Sequence, residues 1–179
     1  MMVALMLVGL LSGPDAFSER PASTAFEAAK TLEFADLAGP QFVLGLDPAF
    51  DGRWMVLSGY RLRQERRVAV LRLEAVDGHG ETEVKWAQSD QCPAVGAFLV
   101  DGAQMYAPGI ALPFLEGQTP RTPMADGVWT RFHASFVEID GKSASLEVSG
   151  NTDSPAYRWW DRNSAALMSC WTTTEPAAS

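Results

Sequence analysis

The chain has 179 residues, 47% of them hydrophobic and 20% charged, which suits one globular domain with a sizeable core and excludes a disordered polymer. Its formal net charge of -8 excludes a protein that grips nucleic acid mainly through phosphates, because that affinity rests on lysine and arginine. A basic partner or a neutral small ligand fits an acidic domain better.

No charged side chain occurs from Met1 to Leu11, and Ser12-Gly13-Pro14 then breaks the apolar run. Residues 1–16 therefore read as a signal peptide and 17–179 as a single globular domain, with the periplasm or the cell exterior as the expected location. The run is shorter than the roughly 20 residues that a spanning helix needs, and no later stretch approaches that length. No membrane span is expected in the mature chain.

Thr24 followed by Glu27 is a capping-box pattern and Gly39-Pro40 a stop signal, which predicts a helix within residues 25–38. Lys30 and Glu33 interrupt its apolar stripe of Phe26, Phe34 and Leu37, so the chain has an extended alternative at residues 32–34. Three β-rich runs follow at residues 53–62, 68–76 and 82–87. Asp77-Gly78-His79-Gly80 joins the last two, and its glycines permit the positive φ of a hairpin turn.

Pro93 suits the first turn of a helix running to about residue 100, with Cys92 at its start and Val95, Phe98 and Leu99 on one face. Residues 106–126 contain Pro108, Pro113, Pro120 and Pro123, which prevents a regular helix or a central strand and predicts a long loop. A second hairpin is expected from residues 128–138 and 143–149 around Asp140-Gly141, where Ala144, Leu146 and Val148 alternate with polar neighbours. Ser154 as N-cap and Pro155 at the first position open the last helix. Tyr157, Trp160, Leu167, Met168 and Trp171 form its apolar arc, with Cys170 on the flank shared by Trp159.

Cys92 and Cys170 are the two cysteines, 78 positions apart, and an even count in an exported chain predicts a disulfide. It would tie the ends of two helices together over one face of a sheet. The expected fold is α+β, a mostly antiparallel sheet of five or more strands with two or three covering helices on one side and one disulfide.

Chemistry is sparser. The chain lacks a Gly-x-Ser-x-Gly elbow, a Cys-x-x-Cys pair and a phosphate-binding glycine loop, so no catalytic residue, metal or cofactor is assigned. His79 sits at a hairpin tip, and His133 shares a strand face with Trp129, Arg131 and Ser135, where a general base is the sharper of two readings. Arg61 and Arg63 share a strand face by period two, with Arg66 and Arg67 at the turn beyond, an arrangement able to grip an anion or simply to guard a hairpin edge. Trp159 and Trp160 cannot both face inward, which leaves Trp159 as a candidate anchor for a partner. The expected ligand-binding set is Arg61, Arg63, Arg66, Arg67 and Trp159, in an exported small non-catalytic binding or inhibitory domain for a protein or anionic ligand. The alternative is a small envelope hydrolase using carboxylates or His133.

Overall fold

A computed structural model describes residues 21–48, 53–77, 79–105, 127–139 and 142–176. The signal peptide, the proline-rich loop and the Asp140-Gly141 turn of the sequence reading lie outside these residues. Three helices, α1 (Pro21–Ala29), α2 (Pro93–Ala103) and α3 (Pro155–Leu167), accompany six strands. These are β1 (Phe42–Pro48), β2 (Trp54–Arg61), β3 (Ala69–Val76), β4 (Thr82–Gln88), β5 (Val128–Ile139) and β6 (Lys142–Gly150). The strands form one antiparallel sheet in the order β4-β3-β2-β1-β5-β6. No described helix is long and apolar enough to cross a membrane.

The first strand is absent from the sequence reading, yet it lies inside the sheet between β2 and β5. Gly45 and Pro48 weaken its local β character. Gly45 is nonetheless suited to its place, because a Cβ there would approach Phe26 Cδ2 to 2.9 Å. Phe26 and Ala29 of α1 settle on this side, over Val43 and Val56.

On the opposite side Phe42, Leu44, Leu57 and Leu71 meet Val95 and Phe98 of α2 and Trp159 and Leu167 of α3. The fold is therefore α+β with helices on both faces, α2 and α3 on one and α1 on the other. The α1 helix starts earlier than the capping-box pattern suggests and stops at Ala29. Its physical reason is packing: Phe26 joins the cluster over Val43, whereas Phe34 and Leu37 pack farther along with Tyr60, Val70 and Trp86. A continuous helix would have carried Lys30 and Glu33 into the same stripe.

The cysteines are joined as expected, with Cα atoms 5.7 Å apart, Cys92 capping α2 and Cys170 in the 3-10 turn that follows α3. Ser154 caps α3 by accepting the Tyr157 amide, with Pro155 next. The predicted arc is met in part: Leu167 is buried and Tyr157, Trp160 and Trp171 pack half-buried against the core, but Ala156 and Trp159 are buried as well and Met168 is 72% exposed. Trp159 stacks on Phe98 at 4.2 Å between centroids, and its Nε1 donates to the Phe98 carbonyl oxygen at 2.9 Å. This partner for the indole N–H is why Trp159, not Trp160, takes the interior place.

The bridge closes a long segment of chain, and its main contribution is to restrict the unfolded state. Replacing Cys92 and Cys170 together by alanine is expected to lower the unfolding free energy by about 4 kcal/mol. Urea denaturation of parent and variant checks this; a loss under about 1 kcal/mol would show that the Trp159–Phe98 contact holds the helix pair without the bridge.

Candidate functional site

The helix pair does not cover the whole sheet. Beyond the C-terminal end of α2 and the N-terminal end of α3 lies a cavity of about 270 Å³, floored by β5 and β6. Alternation along the strands sends Thr130, Phe132 and Ala134 of β5, with Leu146 and Val148 of β6, to this face. Met105 closes one wall and Pro155 and Ala156 another. None of the described residues that line it is Lys, Arg, His, Asp or Glu. Thr130 is 1% exposed, and its Oγ1, buried beneath the cavity wall, has no hydrogen-bond partner among the described residues.

The opposite face of β5 and β6 is charged. Arg131 reaches Ser23 Oγ at 3.0 Å, Glu147 Oε1 at 2.7 Å and Glu27, and Lys30 bridges Glu27 and Glu147. These groups pin α1 to the outer strands. Burial alone would raise the carboxyl pKa values of Glu27 and Glu147, but hydrogen bonds and charge from Lys30 and Arg131 hold both below their ordinary value.

His133 stands beside this network. Its Nε2 is 3.5 Å from Ser135 Oγ and its Nδ1 is 3.9 Å from Glu147 Oε2, so a hydroxyl, an imidazole and a carboxylate stand in sequence. Proton placement works against nucleophilic catalysis. The Ser135 hydroxyl donates at 2.7 Å to the Pro40 carbonyl oxygen, leaving no proton directed at His133. Glu147 is already engaged by Arg131 and Lys30, and Nδ1 is buried without a hydrogen-bond partner.

A further polar group lies beside Trp86 and Tyr60 on this face. Arg72 Nη1 is 2.8 Å from Glu74 Oε2, an ion-pair distance without hydrogen-bond alignment, so the contact is coulombic. Burial pushes the Tyr60 phenol upward, partly opposed by Ser58 beside it, although the two hydroxyls are not aligned into a hydrogen bond.

The four arginines predicted as a positive edge lie at the end of β2 and in the connection to β3, inside the sheet order, and are exposed. Two are engaged locally: Arg61 Nη1 donates to the Arg66 carbonyl oxygen at 3.0 Å and Arg63 Nε to that of Leu37 at 2.7 Å. Their first effect is to fasten the β2–β3 connection. Arg63 lies beyond the end of β2, so period two does not place it on the Arg61 strand face. Trp159, predicted as a partner anchor, is 3% exposed and belongs to the core, where its N–H is bonded to the Phe98 carbonyl and its ring stacks on Phe98. His79 is held by a local turn in which Asp77 Oδ1 accepts the His79 and Glu81 amides. Among the described residues, no group of three or more His, Cys, Asp or Glu side chains is arranged to hold a metal ion.

The cavity residues escaped the sequence reading because four separate elements contribute them. The one available signal was the apolar side of β6, Ala144, Leu146 and Val148, which needs cover that neither neighbouring helix supplies.

The charged network makes a pH dependence. Glu27 and Glu147 ionise more readily folded than unfolded, so their stabilisation of α1 is complete above their ordinary value of 4.5 and fades as pH falls through the depressed folded values. Lys30 and Arg131, whose burial is outweighed by their glutamate partners, are shifted upward and stay charged throughout that window. Acidification from pH 7 to 3 is expected to loosen α1 before the sheet, seen as amide NMR changes at Phe26 and Ala29 preceding those at Leu57 and Leu71. Simultaneous change at all four would show that α1 is held by its apolar contacts alone. Compared with known proteins, the chain matches no family model, no curated protein and no solved structure.

Proposed function

We propose that this chain is a non-catalytic binding domain that works outside the cytoplasm and takes a small ligand into the cavity between β5, β6 and the facing ends of α2 and α3. The observation that carries this reading is the cavity itself, an apolar space of about 270 Å³ whose described lining residues carry no charged side chain. Small-molecule sites commonly combine a concave apolar lining with a few placed polar groups. The Cys92–Cys170 disulfide supports an oxidising compartment, where such bonds persist. A periplasmic or secreted destination follows from the same reading.

Titration with ethylbenzene, followed by amide NMR, tests the cavity. Shifts are expected at Gly102, Met105, Phe132 and Gly150, and substitution of Ala134 by leucine, which fills the space from the β5 floor, is expected to suppress them. Shifts scattered over the surface, or equal in the filled variant, would rule the cavity out as the site.

A second reading, a small hydrolase, is supported by the Ser135–His133–Glu147 sequence of groups. The bond from Ser135 to Pro40 favours the binding reading over it. A fluorophosphonate probe, which labels activated serines, is therefore expected to leave Ser135 unmodified, as read by intact mass. Stoichiometric labelling that disappears in Ser135→Ala would replace the binding reading with the enzymatic one.

A further inference from the structure

In a chain of net charge -8, the β2–β3 connection gathers Arg61, Arg63, Arg66 and Arg67 around the single carboxylate of Glu65. Charged side chains often guard the open edge of a sheet. Here β2 and β3 are interior strands, paired with each other from Trp54–Val76 to Arg61–Ala69, so the connection has no open edge to guard. Ion pairing within the protein does not account for the arginines either. Arg72, Arg131 and Arg162 each hold a carboxylate, whereas Arg61, Arg63, Arg66 and Arg67 pair with none among the described residues.

The connection is held in one shape. Leu62 and Val68 are buried beside Tyr60 and Trp86, and the Leu62 amide donates to the Val68 carbonyl oxygen at 3.1 Å, closing an arch over residues 63–67. Residues 36–38 brace it from the side: the Arg63 amide donates to the Asp36 carbonyl oxygen at 2.9 Å, and the Ala38 amide to that of Arg61 at 2.8 Å. The bonds from Arg61 to the Arg66 carbonyl and from Arg63 to the Leu37 carbonyl fix two guanidinium groups as well. Each uses one donor there and keeps the rest of its fork. The Arg61 bond also sets the cation at the end of β2 against the turn that carries Arg66 and Arg67.

Two considerations define the anion that fits this place. The acidic remainder of the chain repels an extended polyanion, so the anion is compact. One guanidinium fork fills both oxygens of a carboxylate, whereas the three acceptor oxygens of a phosphate group can be shared between cations from the strand end and from the turn. We infer that the β2–β3 connection binds the phosphate group of a small soluble ligand through Arg61, Arg66 and Arg67, with Arg63 adding positive charge beside them. None of these residues lines the cavity over β5 and β6, so this second site stands independently of the ligand reading above.

Inorganic pyrophosphate, citrate at equal ionic strength and vesicles of phosphatidylglycerol test the inference on the full chain. Pyrophosphate is expected to shift the amide NMR signals of residues 61–67 and to bind more tightly than citrate. The double variant Arg66→Gln with Arg67→Gln removes two exposed cations whose side chains make no hydrogen bond among the described residues, so it should melt as the parent does. Its pyrophosphate affinity should fall roughly five- to tenfold, the loss of two exposed charge-assisted contacts. A charge-matched control, Lys142→Gln with Arg158→Gln on β6 and α3, should change that affinity less than about twofold. Equal losses in the two variants would reduce the effect to net charge, and citrate binding as tightly as pyrophosphate would show that the arginines do not select phosphate; either result overturns the inference. So would the absence of shifts at residues 61–67, or sedimentation with the vesicles without binding of pyrophosphate, which would make the connection a membrane surface instead.

Discussion

The constraint on which the structure depends is that β1 has no free face. Both of its edges are hydrogen-bonded, to β2 and to β5, and Phe42, Val43, Leu44 and Leu46 are all buried. A strand buried on both sides requires cover on both sides of the sheet. That requirement places α1 opposite the disulfide-linked pair α2 and α3, and it joins the β1–β4 meander to the distant β5–β6 hairpin through a single strand.

The location of the cavity follows from widths. Six strands at about 4.8 Å each cover about 29 Å, whereas two helices packed side by side at about 10 Å each cover about 20 Å. The pair is drawn toward β1–β3 by the buried cluster of Leu44, Leu57, Leu71, Phe98 and Trp159, and Cys92–Cys170 fixes the ends of α2 and α3 to each other. The shortfall therefore appears at the other side, over β5 and β6. Ala144, Leu146 and Val148 remain only half-buried there, in a strand whose alternation marks that face as apolar.

How much of this was legible in the sequence varies with the origin of each feature. The β3–β4 and β5–β6 hairpins were readable because their alternation and turn residues are local, and the Ser154-Pro155 helix start is a local signal too. The β1 strand was not, because Gly45, Asp47 and Pro48 read as loop residues and its strand character comes from neighbours remote in sequence. Part of the α3 face was misread for a similar reason: the helical wheel put Trp160 on the apolar arc and Trp159 on its flank, and the Phe98 carbonyl that draws Trp159 inward is supplied by another helix. At the sites, the arginine corner was visible as a cluster, but its hydrogen bonds to the Leu37 and Arg66 carbonyls depend on the folded backbone. Thr130 gave no signal at all, since an ordinary strand threonine becomes unusual only when its hydroxyl turns out buried and unpaired.

That contrast separates the two faces chemically. On the α1 face, the buried polar atoms without hydrogen bonds lie beside groups of complementary chemistry: Ser58 by Tyr60, Arg72 by Glu74, and His133 by Glu147. Small side-chain rotations there can improve pairing inside the protein, and the register places Trp86, Arg72, Ser58, Val43, His133 and Glu147 in one row across all six strands. On the cavity face, Thr130 has a glycine, Gly150, as its cross-strand neighbour on one side and Leu46 on the other, so neither offers a side-chain partner. Ser154, the nearest hydroxyl across Gly150, already caps α3. Among the described residues, the α1 face is thus a polar interior whose unpaired atoms have complementary neighbours, whereas the cavity face is lined by apolar and small uncharged side chains, and this asymmetry directs the functional reading to the cavity.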